Sequence, residues 1–263
     1  IYLFLFLNTS NIISAKNSDK LSDAKDISNY FSAIISTNNN QYKKSYSYLR
    51  LLNNLEDSHY AYSYYYQYSL VTLGKLKEAT NYSRKLEHKK IDNFESNLIS
   101  AVYYLENKDF KNASLYLKKI ENKNQPGSIK NLISSSLNSW INFRKISDLN
   151  TGLNFLDSIP KQFSNIKKIQ KIFAHCYFDS PKTDEMFRQL TSNPDVNYSR
   201  YLFFHSNYLI LRNNEEEAKK NIKSSVLRYP KNLLLNQLKI DYEKKKVFNN
   251  KFDCKNISDV IAE

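Results

Sequence analysis

Lys75-Leu76-Lys77-Glu78-Ala79-Thr80-Asn81-Tyr82-Ser83-Arg84-Lys85-Leu86 has a counterpart on each side of it. Thirty-four residues earlier stands Gln41-Tyr42-Lys43-Lys44-Ser45-Tyr46-Ser47-Tyr48-Leu49-Arg50-Leu51-Leu52, and 34 later Asp109-Phe110-Lys111-Asn112-Ala113-Ser114-Leu115-Tyr116-Leu117-Lys118-Lys119-Ile120. Four columns keep their character: Tyr42, Leu76 and Phe110 are large, Ser45, Ala79 and Ala113 are small, Tyr48, Tyr82 and Tyr116 are aromatic, and Leu52, Leu86 and Ile120 are apolar. A fixed period of this length marks a repeated supersecondary unit. Within each copy the apolar residues recur at helical spacing. In the third, Leu115, Tyr116 and Ile120 are expected to share the packed face, with Lys111, Lys118 and Lys119 opposite. One such unit cannot bury its apolar face alone, so neighbouring units must stack.

The period and the small residue with a large one three before it and an apolar one seven after it resemble the tetratricopeptide repeat. That resemblance implies two antiparallel helices per unit. The small residue lets the second helix approach its neighbours, and a turn glycine joins the first helix to the second. The turn positions here are Asn40, Gly74 and Lys108. Gly74 keeps the glycine, Asn40 is a fair substitute because Asn tolerates left-handed backbone, and Lys108 is a poor one. The pattern returns at Asn213-Asn214-Glu215-Glu216-Glu217-Ala218, with Pro230 closing the unit 12 residues after Ala218. Between them, Leu149, Gly152, Phe155, Leu156 and Ile159, closed by Pro160, fit a degenerate unit. Ile169 to Leu190, closed by Pro194, fits another. The resemblance implies an all-α fold of tandem antiparallel helix pairs wound into a right-handed α-solenoid.

The expected organisation is a truncated signal peptide at 1–15, a linker at 16–25, three regular repeats at 26–125 and two degenerate ones at 126–198. A repeat with a packing helix follows at 199–246, then a linker and the start of a further helix at 247–263. The opening Ile1-Tyr2-Leu3-Phe4-Leu5-Phe6-Leu7 is too short to span a bilayer, which takes about 20 apolar residues. It has the size of a signal's apolar core, with Ser14-Ala15 offering small residues for cleavage. This reading implies a periplasmic or envelope location, and a cytoplasmic one if the segment is retained. At the other end Val260 and Ile261 begin an apolar period behind Ser258 or Asp259 as cap, as if more residues followed in a parent protein.

Composition narrows the chemistry. Three Gly and five Pro in 263 residues are few for an all-β chain. The net charge of +13 could attract nucleic acid, but the lysines are spread along the whole chain and no RNA-binding motif accompanies them. Asn, Lys, Ile, Tyr and Phe all have AT-rich codons, so nucleotide bias accounts for the charge. Cys176 and Cys254 lack the spacing of a zinc site; a disulfide between them stays open without sequence support, and two free thiols is the blander reading. His175 beside Cys176 does not make a catalytic dyad, because adjacent helical residues point about 100° apart. Glu215 to Glu217 reads as an acidic helix start. No catalytic residue, metal ligand or cofactor site is expected.

The tyrosine run from Tyr60 to Tyr68 is the feature that points to binding. By the resembled family's layout, the first helix of each pair lines a concave wall. The wall positions are then Tyr30, Ile34 and Thr37 in the first repeat, Tyr64, Tyr68 and Val71 in the second, and Leu98, Val102 and Leu105 in the third. An aromatic and aliphatic groove of this kind suits a peptide. The expectation is a non-catalytic scaffold that holds a protein or peptide partner. Its rivals are a nucleic-acid-binding helical repeat, which would need basic residues on that wall, and the docking region of a larger enzyme.

Overall fold

The computed structural model describes residues 24–52, 55–121, 125, 127–192, 198–244 and 252–262. Among the described residues every regular element is a helix and none is a strand. The signal-like segment 1–15, most of the expected linker 16–25, Pro194 and Lys245–Lys246 lie outside them. The chain divides into two compact units, within residues 1–116 and 117–263.

The first unit contains α1 (Ala24–Asn38), α2 (Tyr42–Leu49), α3 (Tyr60–Thr72), α4 (Leu76–His88), α5 (Phe94–Glu106) and the start of α6 (Phe110–Ile120). From α1 to α5, each helix packs on the next in sequence. In addition α1 touches α3 and α3 touches α5, so the first helices of successive pairs lie side by side. The pairs are closed by one turn used three times. Asn40, Gly74 and Lys108 have φ of 58°, 70° and 58°. After each, the next amide reaches back five residues: Gln41 N–H to Ser36 O at 2.7 Å, Lys75 N–H to Leu70 O at 2.9 Å, Asp109 N–H to Tyr104 O at 2.8 Å. This left-handed C-terminal closure satisfies carbonyls that a helix end leaves open. Lys108, a poor residue for that turn, adopts it all the same.

The small residues sit where the period requires. Ser45, Ala79 and Ala113 are fully buried. Ser45 also joins a buried hydroxyl cluster, 2.7 Å from Thr37 Oγ1 and accepting from Ser69 Oγ at 3.2 Å, which links α1, α2 and α3. Tyr30, Leu49, Leu52, Leu55, Tyr62, Tyr82 and Leu86 form the core around it. The face of α6 differs from the expected one. Ala113, Tyr116, Leu117 and Ile120 are buried while Leu115 is exposed. The spacing three, four and seven from Ala113 is the true apolar stripe, and Leu115 stands off it.

The second unit contains α7 (Ile129–Phe143), α8 (Leu149–Leu156), a 3₁₀ turn (Lys161–Phe163) and α9 (Ser164–Tyr177). It continues with α10 (Thr183–Ser192), α11 (Ser199–Leu211), α12 (Glu215–Arg228), α13 (Leu233–Glu243) and α14 (Ile257–Ala262). Here too, from α7 to α13, each helix packs on the next, and α14 packs on α7. Trp140, Phe143, Phe173 and Phe187 are its largest fully buried side chains. Gly152 is buried where a Cβ would lie 2.8 Å from the Phe178 ring, so the close approach of α8 explains the glycine. Ala218 is fully buried, and Asn213, five residues before it, has φ 56°, in the register of Gly74 to Ala79. Glu215 to Glu217 form the first turn of α12, which ends at Arg228, two residues before Pro230. At α14, Asn256 takes the capping place expected for Ser258 or Asp259: its Oδ1 accepts the Ser258 N–H at 3.1 Å.

One expectation is overturned outright. Cys176, on α9, and Cys254 are disulfide-bonded with their Cα atoms 5.8 Å apart, so neither is a free thiol. That Cα separation lies in the normal range for the bond. Seventy-eight residues separate the two in sequence, and only the folding of α10 to α13 brings them together.

Candidate peptide-binding face

The exposed tyrosines of α3 follow from its amphipathic problem. Apolar and aromatic residues run round the whole helix, so packing can bury only part of them. Tyr62, Ser63, Gln67, Ser69 and Leu70 take the buried side. His59 starts the helix, its Nδ1 accepting the Tyr62 N–H at 3.4 Å. The buried phenols are tied down: Tyr62 donates to Leu52 O at 2.8 Å, and Tyr82 OH pairs with Ser63 Oγ at 2.9 Å. Burial pushes both phenols well above the ordinary tyrosine range.

What remains outside is a stripe. Tyr60, Tyr64, Tyr68 and Val71 are 60%, 39%, 38% and 42% exposed, at steps of four, four and three. Tyr64 and Tyr68 lie nearly parallel, 8° between planes and 6.1 Å between centroids. Tyr42 of α2 meets Tyr68 edge-on at 5.6 Å, and Tyr65 meets Tyr64 edge-on at 5.4 Å. The rings therefore hold one another in place while their outer surfaces stay open. Tyr60 OH donates to Glu95 Oε2 at 3.0 Å and links the start of α3 to α5.

The other wall residues divide. Leu98, Val102 and Leu105 on α5 are half-buried, as is Ile34 on α1. Tyr30 and Thr37 are buried. Tyr30 packs in the core, its ring 4.8 Å from that of His59, and so serves packing. Helix α1 also exposes Ile27, Phe31 and Ile35, a stripe at steps of four. Sequence reasoning missed these three and Tyr60. Their signal was available as i, i+4, i+8 spacing on the side of α1 away from Ala33, which is fully buried. None of these positions on α1, α3 or α5 is charged, in a chain whose net charge is +13.

Charge is concentrated elsewhere in the unit. The Glu56 side chain, 1% exposed, accepts from Lys85 at 2.5 Å and Lys89 at 2.8 Å, and Lys89 also reaches Asp57 at 2.8 Å. Burial works to raise the Glu56 carboxyl, but the two lysines outweigh it and hold it at about 2. This node pins the bend before α3 to α4.

The second unit contains one arrangement with a catalytic look. His205 Nε2 lies 2.6 Å from Asp184 Oδ1, and the ring stacks on Phe187. Burial lowers the His205 pKa against the opposing pull of Asp184. A triad needs a nucleophile hydrogen-bonded to the other ring nitrogen. Nδ1 is buried and has no hydrogen-bond partner among the described residues. His175 Nδ1 meets Ser180 Oγ at 2.9 Å, and its neighbour Cys176 is committed to the disulfide. No three His, Cys, Asp or Glu gather as a metal site among the described residues, and no helix there is long and apolar enough to cross a membrane.

No family model matches the chain, and no curated protein or solved structure is similar to it.

Proposed function

We propose that the chain is a non-catalytic, tetratricopeptide-like scaffold whose helix pairs stack as an α-solenoid and whose first unit binds a protein or peptide partner on the face of α1, α3 and α5. The observation that carries this is the parallel pair Tyr64–Tyr68, partly open to solvent in a stripe with Tyr60 and Val71. Tyrosine gives large contact area at little cost in rotamer freedom. Aromatic rings already braced by Tyr42 and Tyr65 lose less still on binding. Helix α3 contains no Lys or Arg, which favours an apolar peptide surface over a phosphate backbone. The family reading rests on the 34-residue recurrence of both the left-handed turn and the buried small residue.

The envelope location belongs to the same reading. A disulfide persists in an oxidising compartment such as the periplasm and is rare in the cytosol. The Cys176–Cys254 bond supports it independently of the segment 1–15.

A photo-crosslinking residue placed at Tyr64 in producing cells tests the face against a control at Leu227, which is 74% exposed in the second unit. A discrete protein adduct from position 64 and none from 227 is expected. Adducts from both, or from neither, would count against this face.

A further inference from the structure

We propose that the Cys176–Cys254 disulfide is a redox latch on a strap, residues 252–262, and that the strap covers an apolar face of the second unit which reduction lays open. The strap lies across three elements. Phe252 is buried between Phe173 of α9 at 5.2 Å and Phe204 of α11 at 4.2 Å. Lys255 Nζ pairs with Asp179 Oδ2 at 3.0 Å. Val260 is buried, and with Ile261 it lines an open pocket shared with Leu132, Ile133, Leu137 and Trp140 of α7.

Each non-covalent hold is small. The Lys255–Asp179 pair is half-exposed at both ends, where an ion pair stabilises little. Phe252 and Val260 are buried and Ile257 and Ile261 are partly so, and this burial is set against the conformational cost of ordering the whole segment. The covalent bond changes that balance, because it fixes Cys254 beside α9 and leaves the strap little freedom to lose. Without the bond, the strap leaves and uncovers Phe173, Phe204, Leu132 and Trp140.

The chemistry is thiol–disulfide exchange with a dithiol reductant. A thiolate of the dithiol attacks Cys254 Sγ, and Cys176 leaves as thiolate and takes a proton. The second thiol of the reductant then attacks its own sulfur in the mixed disulfide and releases Cys254 as a thiol. Two electrons pass from the dithiol, which ends as its own disulfide. Both sulfurs are buried, Cys176 at 1% and Cys254 at 4% exposure, so the exchange proceeds through a transient lifting of the strap.

Hydrogen exchange of the full chain, read by mass spectrometry, tests the latch in the oxidised protein, in the same protein with dithiothreitol and in Cys254→Ser. The expected result is exchange in 256–262 at least tenfold faster after reduction and in the variant, with α10 to α13 still protected. Equal protection of 256–262 in all three samples would overturn the latch, since packing alone would then hold the strap. Loss of protection throughout the second unit would overturn it too, by making the bond a support of the whole core. Alkylation of both cysteines in unreduced native protein would remove the bond itself.

Discussion

Gly74 and Lys108 occupy the same left-handed turn 34 residues apart, with φ of 70° and 58°, each followed by an amide that reaches back five residues to the preceding helix. A lysine in that conformation carries a steric cost of about 1–2 kcal/mol that glycine escapes. Lys108→Gly should therefore raise stability by about 0.5–1 kcal/mol after the added freedom of the unfolded chain is deducted. Gly74→Ala should lower it by about 1 kcal/mol. A Cβ at Gly74 would meet nothing within 4 Å, so that loss is conformational and not a clash. Urea midpoints of the two variants check both signs.

Ala79 and Ala113 have no exposed surface, and each sits at the small position of its repeat. Ala113→Leu should cost about 1–3 kcal/mol through overpacking. Leu115→Ala, two residues along the same helix but exposed, should change stability by less than about 0.5 kcal/mol. An unchanged midpoint for Ala113→Leu would remove this position from the packed interface.

The Glu56 node gives the first unit an acid-sensitive step. An ordinary glutamate titrates near 4.5 and Glu56 at about 2 in the folded chain. Because the folded value is the lower one, the contribution is complete above about pH 4.5 and disappears as pH falls toward about 2. The lysines are 46% and 30% exposed, so screening keeps the contribution to about 1–2 kcal/mol. Glu56→Gln should lower stability at neutral pH and flatten the stability profile between those two values. Equilibrium unfolding of both proteins across that pH range decides it.

Much of this architecture is legible in the sequence, because a repeat states its own rule several times. The columns headed by Ser45, Ala79 and Ala113 mark the close helix approach, and Asn40 and Gly74 mark the turn. Lys108 breaks the local preference, yet it adopts the same left-handed turn. Three features were harder to read. Leu115 and Leu117 point about 200° apart on the helix, and only the phase set by Ala113, four residues before Leu117, tells which of them is packed. Tyr30 aligns with Tyr64 by register, but the His59 ring beside it makes it a core residue. The pairing of Cys176 with Cys254 depends on the path of α10 to α13, which no spacing in the sequence encodes.

The face of α1, α3 and α5 carries the central claim, and a peptide display library selected on the intact protein tests it most directly. Peptides with apolar or aromatic residues should emerge, and their affinity, measured by calorimetry, should fall at least tenfold, about 1.4 kcal/mol, in the Tyr64→Ala/Tyr68→Ala variant. Both tyrosines stand outside the core cluster at 39% and 38% exposure, so circular dichroism should stay helical while the urea midpoint falls modestly. Unchanged affinity in that folded variant, or selected peptides dominated by acidic residues, would contradict the account.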